Sequence, residues 1–246
     1  MPVDIPGFKG GDRTDIQLPE IQRTCLNALK AAGKKVIFVN CSGSAMGLVP
    51  ETESCDAILQ AWYSGEAGGQ AIADVLFGDY NPSGKLPLTF YKDTTQLPGF
   101  EDYTMKGRTY RYLNTAPLFP FGYGLSYTSF SIGDVRPDKT QLKNNESLQL
   151  TIPVSNKGKR DGTEVVQVYV HKVNDVDGAI KTLRGFQRVD VGAGKTNNAI
   201  IPVPYSAFEF FDAASGKVKV VPGEYEIWYG NSSEAKDLKM TKINVL

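Results

Sequence analysis

An α/β segment followed by an all-β sandwich is the architecture this sequence predicts, and three observations carry it. Short all-apolar runs at residues 36–40 and 57–62 lie among stretches with helical spacing. From Ile132 onward, apolar residues recur with period two. Between these halves runs Phe119-Pro120-Phe121-Gly122-Tyr123-Gly124-Leu125-Ser126-Tyr127-Thr128-Ser129-Phe130, too long for a turn and too rich in glycine for a helix. Rings bury area and glycines let backbones approach closely, so this run suits a strap between two unlike domains. A chain of 246 residues is long enough for two ordinary domains, and composition shifts near residue 130.

Residues 1–16 are polar, glycine-bearing and read as irregular. Ile21, Cys25, Leu26 and Leu29 then recur at three- and four-residue steps, one face of a helix that Gly33 stops and Lys34-Lys35 complement. Val36-Ile37-Phe38-Val39-Asn40 has the pattern of a parallel strand buried on both faces, and Ala57 to Trp62 is a second such run. A helical stripe with Ile72, Val75 and Leu76 lies between Gly65 and Gly78. Gly78 to Lys85 is turn chemistry, and Leu86-Pro87-Leu88-Thr89-Phe90 reads as an edge strand. Residues 91–118 form a long connection containing Arg108-Thr109-Tyr110-Arg111-Tyr112, and connections of that length are usually functional or interfacial.

The second half predicts strands at Ser147–Val154, Glu164–Val170, Arg184–Val189, Thr196–Val203, Gly223–Tyr229 and Lys239–Val245. Glu164–Val170 alternates less strictly, as a central strand does. Short strands separated by Asn-Lys-Gly, Gly-Ala-Gly and Pro-Gly signals predict a β-sandwich. The first half is less complete. Two parallel strands and one edge candidate leave strand edges and apolar faces uncovered, at about 1.5–3 kcal/mol per unburied side chain. The missing strands are expected to be either donated by a partner or lost, with the chain reading as the latter part of something longer. Residues 1–130 are expected to unfold before the sandwich, and exposed edges to favour self-association.

Composition and motifs exclude several functions. With 27 basic and 27 acidic residues the formal charge is zero, which removes an electrostatic case for nucleic acid. No apolar stretch reaches the roughly 18 residues of a membrane span. Met1-Pro2-Val3-Asp4 lacks the pattern of an export signal, so the compartment is left unassigned. Cys25, Cys41 and Cys55 follow no metal-ligand spacing, and Cys41, after a strand, reads as a small core thiol. No metal or cofactor is expected. The single histidine, His171, ends a strand with no Gly-x-Ser-x-Gly elbow in the chain, so a nucleophilic triad is not expected.

Gly65-Glu66-Ala67-Gly68-Gly69 is not a dinucleotide fingerprint, and Glu66 would repel a pyrophosphate. The loop Ser42-Gly43-Ser44-Ala45-Met46-Gly47 is better placed, since α/β ligands bind at the carboxyl ends of parallel strands. Lining a polar ligand and making a tight connection are equally good readings of it. The carboxylates Asp12, Glu51, Glu53, Glu66, Asp79, Glu101 and Asp102 nominate no pair for glycoside hydrolysis. Asp12 beside Arg13 is expected to be ion-paired and ionised, a poor general acid. Trp62 and Trp228 sit in apolar strand patterns and read as core rather than as a sugar platform.

Several stretches together resemble family 3 glycoside hydrolases of the β-glucosidase and β-xylosidase type. They are Gly11 to Pro19, Ala61 to Gly78, Asn81 to Phe90, the run Phe119 to Phe130, Leu183-Arg184-Gly185-Phe186, Phe211-Asp212 and Pro222-Gly223-Glu224-Tyr225. The resemblance implies that residues 1–131 are the C-terminal portion of that family's α/β sandwich domain and residues 132–246 its fibronectin type III-like domain. In the family, a (β/α)8 barrel carries an aspartate nucleophile and the second domain supplies a glutamate acid/base just upstream of the segment beginning at Pro2. The resemblance therefore implies no catalytic residue in this chain. It implies a β-linked oligosaccharide or glycoside as the substrate of the full enzyme, and an N-terminal barrel as partner. It also implies an enzyme type often periplasmic or secreted. The cleft-rim candidates are Lys9, Asp12, Arg13, Ser44 and Met46. The competing readings are a stand-alone carbohydrate-binding or adhesion module and, more remotely, a flavodoxin-like nucleotide binder.

Overall fold

The computed structural model describes residues 15–99 and 101–246, and Lys9, Asp12 and Arg13 lie outside the described residues. The chain divides into two compact units. One takes the residues up to Phe77 together with Leu88–Pro120, and the other takes Gly78–Pro87 together with Phe121–Leu246. The Phe119–Phe130 run spans the crossing point: Phe119 and Pro120 belong to the first unit and Phe121 onward to the second.

In the first unit, α1 (Glu20–Ala31) begins after Pro19 with Glu20 at its positive end. Gly33, at φ 68°, closes it. The Gly33 amide bonds the Lys30 carbonyl at 2.8 Å and the Lys34 amide bonds that of Leu29 at 3.1 Å, so the glycine stop predicted from sequence is the observed one. The apolar stripe of α1 is helical but poorly covered: none of its side chains is fully buried, Leu26 is half-buried against Leu18, Met46 and Leu48, and Ile21 is 76% exposed. Strand β1 (Ile37–Asn40) pairs in parallel with β2 (Ala57–Gln60), in register from Ile37↔Ala57 to Asn40↔Gln60. Between them lies the short helix α2 (Val49–Ser54), and α3 (Gly68–Phe77) follows β2.

Three expectations for this unit are corrected. The β1 run is not buried on both faces, since Ile37 is 54% exposed in a sheet that has two strands among the described residues. Cys41 is exposed, because the strand ends at Asn40, which takes the inward position. Leu86–Phe90 forms no strand. Pro87 interrupts it where the chain passes from one unit to the other, leaving a single bridge between Phe90 and Phe119. The long connection holds a 3-10 turn (Thr94–Gln96) and α4 (Thr109–Tyr112).

The second unit is a sandwich. Its strands in order are β3 (Phe130–Ile132), β4 (Arg136–Pro137), β5 (Gln141–Leu142), β6 (Ser147–Asn156), β7 (Gly162–Lys172), β8 (Thr182–Val191), β9 (Thr196–Pro204), β10 (Glu209–Asp212), β11 (Lys217–Val220), β12 (Gly223–Gly230) and β13 (Leu238–Val245). One sheet runs β5-β13-β12-β7-β8. The other is centred on β6, which pairs with β3, β4 and β9. Leu148, Leu150, Ile152 and Val154 of β6 are all fully buried at every second position, facing Val166, Val168, Val170, Tyr225, Ile227, Ile243 and Val245 across the core. The β10–β11 hairpin is additional to the strands predicted from sequence.

β7 is buried without interruption from Glu164 to Val170, as its looser alternation predicts. Its outward face is covered by polar bonds from two distant segments. Gln167 Nε2 donates to the Gly122 carbonyl at 3.0 Å, and Lys85 Nζ lies 2.7 Å from Glu164 Oε1 with both side chains largely buried. Asn81 accepts from Ser126 Oγ and the Tyr127 amide and donates to the Asp161 carbonyl. Arg188 donates to Ser83 Oγ at 2.8 Å. Gly122 is required here: its φ is 78°, and a Cβ would lie 2.0 Å from Gln167 Oε1.

Candidate functional site

The carboxyl ends of β1 and β2 stand side by side, and two loops leave the parallel pair there. Asn40 is buried and its Nδ2 donates to Gln60 Oε1 at 2.7 Å and to Ser42 Oγ at 3.0 Å. Gln60 Nε2 donates to the Ser42 carbonyl at 3.2 Å, Ser42 Oγ donates to the Ser44 carbonyl at 3.0 Å, and the Ala61 amide bonds the Asn40 carbonyl at 2.9 Å. Side-chain amides at the two strand ends thus pin the Ser42–Ser44 loop in one conformation. Ser44 lies exposed on it.

The next turn of the loop goes inward. Met46 is 2% exposed and packs with Leu18 and Leu48 in the small core of this unit, so the loop's role at Met46 is anchoring. Of the sequence-predicted rim residues, then, Ser44 sits on the open loop and Met46 beneath it.

On the β2 side, Trp62 adopts a left-handed backbone with φ 57°, a strained conformation for a bulky residue. Its half-buried ring meets Phe90 edge-on, with centroids 6.1 Å apart, and Phe90 is 1% exposed. Turning Trp62 inward sends Tyr63 outward, where it is 80% exposed. The Tyr63 ring edge rests on Gly43, where a Cβ would lie 2.5 Å from Tyr63 Cε2. The sequence does not single out Tyr63, and it offers Gly43 only as one member of the Ser42–Gly47 loop. The available signal was positional, because both directly follow parallel strands. Trp228 in the sandwich is half-buried on the face opposite the core, and its indole N–H donates to Glu226 Oε2 at 3.1 Å.

Of the candidate carboxylates, Glu53, Glu66, Asp79, Glu101 and Asp102 are exposed. Glu51, in the first turn of α2, is fully buried with no hydrogen-bond partner on either oxygen. Burial pushes its carboxyl above the usual carboxylate range, partly offset by its own backbone amide and by Arg23. A raised carboxyl pKa is what a general acid needs, but full enclosure keeps this one from a substrate, so its environment is structural. His171 Nδ1 lies 3.2 Å from the Ala179 carbonyl and ties down the loop after β7.

Fold and loop chemistry define an α/β protein carrying a fibronectin-type sandwich, with a polar, aromatic strand-end surface. Residues 7–127 match the glycosyl hydrolase family 3 C-terminal domain and residues 164–233 a fibronectin type III-like domain. The chain belongs to glycosyl hydrolase family 3 and corresponds to the C-terminal region of its members. It is 57% identical over its whole length to a xylan 1,4-beta-xylosidase of Xylanibacter ruminicola, of which it covers 28%. It is 37% identical, over 92% of the chain, to a periplasmic beta-glucosidase of Salmonella typhimurium, of which it covers 31%. A solved β-glucosidase from Erythrobacter marinus superposes with a TM-score of 0.83 at 38% identity, over 96% of this chain and 31% of that one. The β-glucosidase of Listeria innocua in complex with glucose gives 0.82 at 30% identity, over 96% and 34%. The chain thus spans about a third of the length of the relatives it matches.

Proposed function

We infer that this chain is the C-terminal region of a retaining, exo-acting β-glycosidase that works on β-xylosides or β-glucosides in carbohydrate breakdown. The nucleophile and the acid/base come from an N-terminal part outside residues 1–246. The observation that carries this reading is the pairing of two facts. The chain matches its relatives over about a third of their length, and its α/β unit has a two-stranded parallel sheet and a helix with no buried side chain. Retaining hydrolysis needs two carboxyl groups about 5 Å apart across a cleft. Glu51 has the raised pKa but no access, and the other described candidates are exposed, Glu53 on α2 and Glu66, Asp79, Glu101 and Asp102 in turns and connections. The 57% identity to a xylosidase favours xylosides. The residues of this chain then shape the cleft rim, with Ser44 and the loop anchored by Met46 on the described part, and Lys9, Asp12 and Arg13 remaining candidates from the sequence.

The test is hydrolysis of aryl β-xyloside and aryl β-glucoside by the chain alone and together with the N-terminal region of the Xylanibacter relative. No turnover alone and measurable turnover on complementation are expected. Turnover by the isolated chain that a carboxylate substitution abolishes would overturn the reading.

One observation favours a second reading, a carbohydrate-binding module. The sandwich unit holds an open cavity of about 360 Å³ lined by Tyr80, Asn81, Asp161, Thr163 and Asp190. An aromatic ring beside carboxylates is a surface that sugars use, and saturable sugar binding lost in Tyr80→Ala would support this role over the first.

A further inference from the structure

We propose that Tyr63, seated on Gly43 at the carboxyl ends of β1 and β2, is a stacking platform for a pyranose ring, with the pinned Ser42–Ser44 loop supplying the polar edge. The proposal rests on the glycosidase reading for its ligand class and on the following geometry for its place.

Three features converge on Tyr63. The first is the conformation of its neighbour. Trp62 holds a left-handed backbone at φ 57°, and a non-glycine residue stays in that region only where its surroundings over-determine it. Here the determinant is the edge-on contact of the Trp62 ring with buried Phe90 at 6.1 Å. The result is an outward-facing Tyr63 that is 80% exposed. The second feature is Gly43. Any side chain there would occupy the space of the Tyr63 ring edge, since even a Cβ would lie 2.5 Å from Cε2, so glycine is what lets the ring lie down on the loop. The third is the loop itself. Asn40, Gln60 and Ser42 fix it by four side-chain hydrogen bonds of 2.7–3.2 Å, leaving Ser44 exposed one residue beyond Gly43.

These features separate a sugar from an apolar partner. A protein-docking patch would continue the exposed ring with apolar neighbours. Here the flanking exposed residues are Ser44, Ser64 and Glu66, and the buried ones are amide-bonded. One aromatic face bordered by hydroxyl and carbonyl groups matches a pyranose, whose C–H face is apolar and whose rim is hydroxyl. Because the loop is already pinned, little ordering remains to oppose binding of a small ligand.

The test uses the intact chain with xylobiose and cellobiose as probes, followed by amide chemical-shift titration. Saturable shifts at Gly43, Ser44 and Tyr63 are expected. Tyr63→Ala should weaken binding by roughly tenfold, a loss of about 1.4 kcal/mol. Tyr63→Phe should bind like the native chain, since it keeps the ring. Gly43→Ala should weaken binding by lifting the ring, and its Tyr63 signals should move in the free protein. Absence of saturable shifts at these residues, or native affinity in Tyr63→Ala, overturns the platform. Shifts confined to Tyr80, Asp161 and Asp190 would assign sugar binding to the sandwich instead and also overturn it. The glycosidase reading fails separately: a complemented chain that hydrolyses aryl glycosides while Tyr63→Ala binds normally loses only the platform. A chain that binds through Tyr63 but never yields turnover loses only the enzyme assignment.

Discussion

The α/β unit and the sandwich carry equally regular apolar patterns, yet only the sandwich buries them. In the sandwich, alternate residues of β6 are fully enclosed, and one continuous core takes in both sheets from Leu142 to Val245. In the α/β unit the corresponding cluster of buried side chains is Leu18, Met46 and Leu48. Its longest helix leaves most of a correct 3.6-residue stripe exposed, with Leu26 half-buried against that cluster and no side chain fully enclosed. A periodic pattern fixes what a segment becomes, whereas burial requires a second surface of matching length. The sandwich supplies both surfaces from within the chain. The α/β unit supplies two parallel strands, where open parallel sheets with helices on both faces ordinarily have several more.

The largest effect that could break this comparison is in core truncation. Leu150→Ala in the sandwich should cost about 2–5 kcal/mol, whereas Leu29→Ala on α1 should stay within about 0.5 kcal/mol. Chemical denaturation measured by sandwich-specific and α/β-specific amide signals checks both. Native-state exchange should show the amides of 36–77 opening before those of 135–246. The reverse order would mean that the uncovered stripe is stabilised by something other than burial.

A smaller effect concerns the polar cover of β7. Lys85→Met leaves Glu164 buried without its cation and should destabilise the sandwich by about 3 kcal/mol, while the double variant with Glu164→Leu should recover most of the loss. Because Lys85 comes from the Gly78–Pro87 segment, equal losses in single and double variants would show that this segment stabilises the sandwich by packing rather than by charge.

The smallest effect distinguishes the two units by pH. Glu51 holds its proton more tightly in the folded state than in the unfolded chain, because burial raises its pKa. Its stabilising contribution is therefore complete below the ordinary glutamate value of about 4.3 and is lost as pH rises through the raised folded value. Glu51→Gln should flatten that decline in the α/β unit, shifting its melting by a few degrees at most at neutral pH and leaving the sandwich unchanged. A pH-independent α/β unit in the native chain would contradict the burial argument.

Much of the fold was legible locally. Gly33 ends α1 because only glycine takes φ 68° without strain, and the sandwich strands announce themselves because one face of each meets the core. The placement of Gly78–Pro87 was not legible. Its residues carry local turn signals, while the bonds that hold it reach across the sequence: Asn81 to Asp161, Lys85 to Glu164, Ser83 to Arg188. The same reason hid Tyr63 and Gly43. Each is unremarkable alone, and their contact depends on the parallel register that aligns Asn40 with Gln60.

By itself, the sequence determined the order of elements, the change from α/β to all-β and the family, since these rest on periodicity, turn chemistry and ordered motifs. Tertiary structure alone decided which patterns are buried, that Gly78–Pro87 belongs to the sandwich, that Met46 is core while Tyr63 is surface, and that Glu51 is enclosed. Those outcomes depend on which surfaces meet, and that is set by residues far apart in the chain.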